Sequence, residues 1–172
     1  MSPLFVAAQI CGIGGMIGLF LSFQAKTTVK ICLTQSIACV FLTTQFLLLG
    51  AWTGAALNGL SLFRNVVYAN GNKKWASGII WPIGFSLANI VFTSFSWEGY
   101  ISLLPMTALI LSNFGLRIRN AQLSRLVNLP TSPMWLIYNM GSGAYMSIIT
   151  EILVTSSILL GLWRYRKENN EG

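Results

Sequence analysis

The eleven lysines and arginines of this 172-residue chain fall into four clusters, and the apolar stretches between them have the length that returns every cluster to one side of a membrane. The clusters are Lys26 and Lys30; Arg64, Lys73 and Lys74; Arg117, Arg119 and Arg125; and Arg164, Arg166 and Lys167. Each interval holds enough residues for a crossing and a return, at about 20 mostly apolar residues per helical crossing. Basic residues are retained on the cytoplasmic side, so the pattern predicts an outside N-terminus and a cytoplasmic C-terminus. Composition agrees, with 54% hydrophobic and 9% charged residues, where a soluble domain carries about a quarter charged. The net charge of +7 would otherwise suggest nucleic acid. Topology already accounts for it, and no nucleic-acid binding is expected.

Seven segments fit the spacing: Leu4 to Phe23, Ile31 to Gly50, Ala51 to Ala69, Ala76 to Ser94, Gly99 to Leu116, Ala121 to Asn139 and Ser142 to Trp163. The fold class is therefore an all-α integral membrane protein filling residues 1–172 as one membrane domain. The outward connections, near Gly50, Trp97 and Met140, carry a single charge, Glu98. Aromatic residues prefer the headgroup level, and Trp52, Trp97, Tyr100 and Tyr138 stand near the expected outer ends, with Tyr68, Trp75, Trp163 and Tyr165 near the inner ones. The first segment lacks a basic flank and a small-residue cleavage site, so it reads as a retained helix. Residues 164–172 form a short cytoplasmic tail.

The chemistry available to such a chain is narrow. Cys11, Cys32 and Cys39 lie within apolar segments and read as small buried thiols, with no disulfide expected. No histidine and only four acidic residues are present, which leaves little for zinc or di-iron sites. Nucleophile elbows, Walker loops and dinucleotide fingerprints are absent from the sequence. No enzyme activity, metal or cofactor is expected.

A shift of 89 residues aligns FLLLGAWTGAALNGLSLF, from Phe46 to Phe63, with WLIYNMGSGAYMSIITEI, from Trp135 to Ile152. It pairs Gly54 with Gly143, Ala55 with Ala144, Asn58 with Ser147 and Ser61 with Thr150, and maps the first three segments onto the last three. The expected plan is 3+1+3: repeat one over 4–70, a connector helix over 76–94, and repeat two over 99–163. One odd helix between the units makes them parallel repeats about an axis along the membrane normal. The stretches FLLLGAWTGA and WLIYNMGSGA, the following Glu151 and the terminal GLWRYRK resemble the YgjV-type bacterial inner-membrane proteins over almost the whole chain. That resemblance implies a multi-pass protein of the bacterial inner membrane. Helix count and repeat plan also resemble, more distantly, the SWEET and PQ-loop transporters. Their Pro-Gln pair is missing, since the matching region reads LSFQAK, and no sugar specificity is implied.

Polar groups at membrane depth are where function is sought, because a central charge costs at least about 3 kcal/mol. Glu151 stands near the middle of the last segment, as an ion or substrate site or as a partner for Arg64. Asn58 lies at comparable depth in the third segment, and Ser147 is one turn from Glu151. In RLVNLPTSPMWLIYN, Pro130 and Pro133 are expected to break the sixth segment near mid-depth beside Asn128, freeing carbonyls towards a cavity. Pro82 and Pro105 are read as weaker hinges. Gly14 and Gly18, and Gly50 and Gly54, have the spacing that lets helices approach closely, either within the bundle or in a homo-oligomer. The expected function is transport or facilitated passage of a small polar solute between the repeats, along Glu151, Asn58, Ser147, Trp135, Asn139, Asn128, Pro130 and Pro133. The competing reading is a non-transporting membrane protein that binds a partner helix or lipid.

Overall fold

The computed structural model describes residues 2–24, 28–118, 121–156 and 159. Lys26, Arg119, Trp163, Tyr165 and the basic tail expected over 164–172 lie outside the described residues. Among the described residues the chain is helical without strands. The helices are α1 (Pro3–Gln24), α2 (Thr28–Leu49), α3 (Trp52–Ala69), α4 (Ile80–Phe95), α5 (Leu103–Gly115), α6 (Ala121–Asn128), α7 (Thr131–Ser142) and α8 (Tyr145–Ser156), with a 3-10 turn at Tyr100–Ser102 leading into α5. Two stretches, Pro3–Ser22 and Cys32–Leu49, are long and apolar enough to cross a bilayer unaided.

Prolines decide where the remaining helices begin. Pro82, Pro105 and Pro133 each occupy the third position of their helix, Pro3 the first position of α1, and Pro130 the residue just before α7. The first four N–H groups of a helix have no intrahelical acceptor, so proline costs no hydrogen bond there, whereas further in it would lose one and clash with the preceding turn. The expected segments starting at Ala76 and Gly99 therefore begin late, at Ile80 and Leu103. The expected segment from Ala121 to Asn139 is two helices interrupted at Leu129 and Pro130, and α7 runs on to Ser142. Pro82 and Pro105 stand at helix starts, and the hinge reading of them is corrected on that ground.

Helices α1, α2 and α3 pack side by side in order, α4 lies against α3 and α5, and α5 lies against α6 and α7. Helix α8 closes the bundle onto α1 and α2: the Gln9 amide donates to Gly143 O at 3.0 Å and accepts from Met146 N at 3.2 Å, and Ser147 Oγ donates to Gln45 Oε1 at 2.7 Å. Glycines make the close approaches. A Cβ on Gly18 would stand 3.0 Å from the Ala38 Cβ, one on Gly14 would meet the Phe41 ring at 2.7 Å, and one on Gly12 would meet Gln45 and Met146 at 2.6 and 2.7 Å. The glycine face of α1 is thus spent on α2 and α8.

One turn is built twice. Gly50 (φ 72°) and Gly143 (φ 69°) both take the left-handed conformation that glycine adopts without steric cost. Ala51 N–H donates to Phe46 O at 2.9 Å and Ala144 N–H to Asn139 O at 3.0 Å; Trp52 and Tyr145 then open the next helices with N–H bonds to Gly50 O and Gly143 O. The backbone correspondence is thus Gly50 with Gly143 and Ala51 with Ala144, a spacing of 93 residues. The sequence alignment at a shift of 89 differs from this turn spacing by four residues, about one helical turn. Counted from the two turns, Asn58 and Glu151 each stand seven residues beyond the turn alanine.

The bundle is apolar outside and polar inside. Ile10, Ile17, Phe20, Val40, Phe63, Leu87, Val91 and Ile152 are exposed, while Gln45, Asn65, Asn89, Asn113 and Asn139 are among the largest fully buried side chains. Exposed apolar surface on this scale is at home against lipid, not water. The ends differ in charge. Lys30, Lys73, Lys74 and Arg117 gather where α1 and α3 end and α2 begins, and Glu98 stands at the opposite end. At the basic end Arg117 donates to Ala76 O at 3.3 Å and also to Ser77 O, with its guanidinium 5.8 Å from the centre of the Tyr68 ring.

Candidate functional site

A cavity of about 320 Å³ runs between α2 and α3 on one side and α5 to α8 on the other. Asn58, Arg64, Asn128, Trp135, Asn139, Ser147 and Glu151 all line it. Pro130 and Pro133 do not: both are exposed. They act on the site only by ending α6, which lets the Thr131 hydroxyl take the Asn128 carbonyl at 2.7 Å and turns Thr131 and Ser132 into the cavity wall.

The polar groups are held in different ways. Glu151 is half-buried on α8, with Ser132 of α7 beside it in the cavity wall. Asn58, on α3 at the corresponding depth, donates to Gly54 O at 3.0 Å. Ser147 is held by Gln45, and Asn139 is buried with its Oδ1 unpartnered. Arg64 is 7% exposed and donates to Asn65 Oδ1 at 3.3 and 3.4 Å and to Asn113 Oδ1 at 3.3 Å. The expected pair between Arg64 and Glu151 is not made. Asn113, 49 residues from Arg64, presents its oxygen because its own amide donates to Ser86 Oγ at 3.2 Å and its carbonyl accepts from Tyr68 OH at 2.9 Å.

At the Glu98 end the cavity stops against rings. Phe46 and Trp135 line it and stack at 6.1 Å between centroids, and Tyr138 sits behind them at 5.8 and 6.0 Å. Tyr138 is tied in place: its hydroxyl accepts from Gly54 N–H at 2.7 Å and donates to Glu98 Oε2 at 2.9 Å. Glu98 also accepts from the first N–H of α3, at Trp52, where Ala51 supplies no side-chain cap. A carboxylate at that position answers both the unsatisfied N–H groups and the positive end of the helix dipole. Glu98, Tyr138 and Gln9 are thus positioning residues that the sequence did not single out for this role. The isolation of Glu98 among the outward connections was the one available signal. A wider cleft of about 530 Å³ lies at the same end between Thr43, Trp52, Ala56 and Phe95. Its walls are mostly apolar, and Trp52 and Phe95 are exposed beside it.

No curated protein and no solved structure matches this chain. A family model does match, over residues 6–169, nearly the whole length: with its apolar exterior, buried polar interior and basic end, the chain belongs to the Imp-YgjV family of bacterial inner membrane proteins.

Proposed function

We propose that this inner-membrane protein carries or admits a small polar solute through the cavity between its two halves, and that it performs no catalytic step. The proposed plan is 3+1+3, with α1 to α3 and α5 to α8 as parallel units joined by α4, the N-terminus outside and the basic end cytoplasmic. The twice-built glycine turn supports the plan, and the gathering of Lys30, Lys73, Lys74 and Arg117 at one end supports the orientation. The observation that carries the function is a cavity bearing both Glu151 and Arg64 inside an apolar-surfaced bundle. Ionisable groups at membrane depth are costly, and facing a water-filled cavity is a main way in which they are kept. Phe46, Trp135 and Tyr138 would form the outer closure of a conformation reached from the cytoplasm.

The competing partner-binding reading loses its main feature, since the glycine face of α1 is occupied within the bundle. The test is thermal unfolding of the purified protein in detergent against sugars, amino acids, nucleosides, vitamins and cations, with Glu151→Gln alongside. A solute at 100 times its dissociation constant adds about 2.7 kcal/mol to the folded state. A shift present in the parent and lost in the variant is expected. No shift with any compound overturns the proposal.

A further inference from the structure

The cavity holds an arginine and a glutamate that do not pair with one another. Among the described residues Arg64 reaches only neutral amide oxygens, at 3.3 and 3.4 Å, and Glu151 forms no ion pair. A guanidinium remains charged in any protein setting, and a buried charge without a counter-charge is expensive. Each group therefore offers a strong interaction to whatever enters. Their depths are set by the backbone. Glu151 is seven residues along α8 from Ala144 and Arg64 thirteen along α3 from Ala51, so at 1.5 Å per residue they stand about 10 Å and about 20 Å from the turns that open their helices. Both line the one cavity, which thereby offers a carboxylate to an ammonium and a guanidinium to a carboxylate. Asn139, whose buried Oδ1 has no partner, is in the same cavity wall. Leu42, Phe46, Leu109 and Trp135 supply an apolar wall for the rest of the molecule.

We propose that the solute is a small zwitterion of the amino-acid type, its carboxylate bound by Arg64, its ammonium by Glu151, and its side chain held against the apolar wall. The inference rests on the cavity being a solute site and adds the class of solute.

The test varies the ligand first, so that it does not depend on a variant folding. Binding of leucine and phenylalanine to the full chain in detergent is compared with binding of their amides, which lack the anion, and their N-acetyl derivatives, which lack the cation. Each deletion is expected to weaken binding by about tenfold or more, the size of one charge-assisted contact. In Arg64→Gln the acid and the amide should bind alike, and in Glu151→Gln the acid and its N-acetyl derivative should bind alike. Amides and N-acetyl derivatives that bind the parent protein as well as the amino acids do would overturn the inference. So would stabilisation by glycerophosphoethanolamine with none by amino acids, which would assign the charges to a lipid headgroup. If sugars or nucleosides bind in a Glu151-dependent way and amino acids do not, the transport reading stands and the zwitterion falls. If nothing binds, both fall.

Discussion

Replacing Tyr138 with phenylalanine removes one oxygen and leaves the packing of the ring in place. That oxygen joins three parts of the chain: it accepts from Gly54 N–H at 2.7 Å and donates to Glu98 Oε2 at 2.9 Å, while Glu98 holds the first N–H of α3. Gly54 is the third residue of α3, where the helix supplies no acceptor. Without the hydroxyl its N–H is buried and unpaired, which costs about 1–3 kcal/mol. The lost bond to Glu98 adds little, because the carboxylate is exposed and water can replace the donor. The expected total is about 2 kcal/mol, measured as the difference in unfolding free energy between variant and parent in a denaturant titration in detergent. Glu98→Gln keeps one acceptor, for the Trp52 N–H, and puts an NH2 donor against the Tyr138 hydroxyl; with the site exposed to water it should cost about 1 kcal/mol, the size of the helix-end charge term. A Tyr138→Phe protein within about 0.5 kcal/mol of the parent would refute the view that this hydroxyl completes the start of α3.

Gly54→Ala is expected to destabilise by about 1–3 kcal/mol, since its Cβ would meet the buried Tyr138 and Phe46 rings at 2.8 and 2.9 Å; an unchanged melting temperature would show that the rings yield freely. With Cys11, Cys32 and Cys39 replaced, single cysteines at 151 and 154 should react with a water-soluble thiol reagent, while those at 149, 152 and 153, on the exposed face of α8, should stay inert in the bilayer. Inertness at 151 and 154 would sink the hydrated cavity. For the orientation, a cysteine at 97 should label in intact cells and one at 74 only after permeabilisation, and the reverse order would invert the proposed topology.

Much of the fold was legible because the membrane reads hydropathy locally. The requirement for about 20 apolar residues per crossing placed α1, α2 and α3 to within a few residues, and the same chain stretches carry α4 to α8. The prolines marked where helices fail, but their meaning was misjudged: a proline near the middle of an apolar stretch reads as a kink, yet Pro82 and Pro105 mark late helix starts, and Pro133 follows a true break. The candidate site was legible as a set of residue types. Asn58, Glu151, Trp135 and Asn139 drew notice because polar or aromatic groups at that depth need a reason, and they line one cavity. Pro130 and Pro133 drew the same notice and face outwards, because hydropathy carries no information about which way a side chain points.

The sequence by itself determined the class of molecule, the approximate crossings, the gathering of positive charge and the short roster of polar residues, since each depends on local composition summed over a segment. Only the tertiary structure decided the pairings: Arg64 with Asn113 and not Glu151, Ser147 with Gln45, Gly54 with Tyr138 and Tyr138 with Glu98, and the two glycine turns 93 residues apart. These depend on the rotation of each helix about its axis and on turns tens of residues away. A shift of one helical turn leaves hydropathy almost unchanged but exchanges every partner across the cavity.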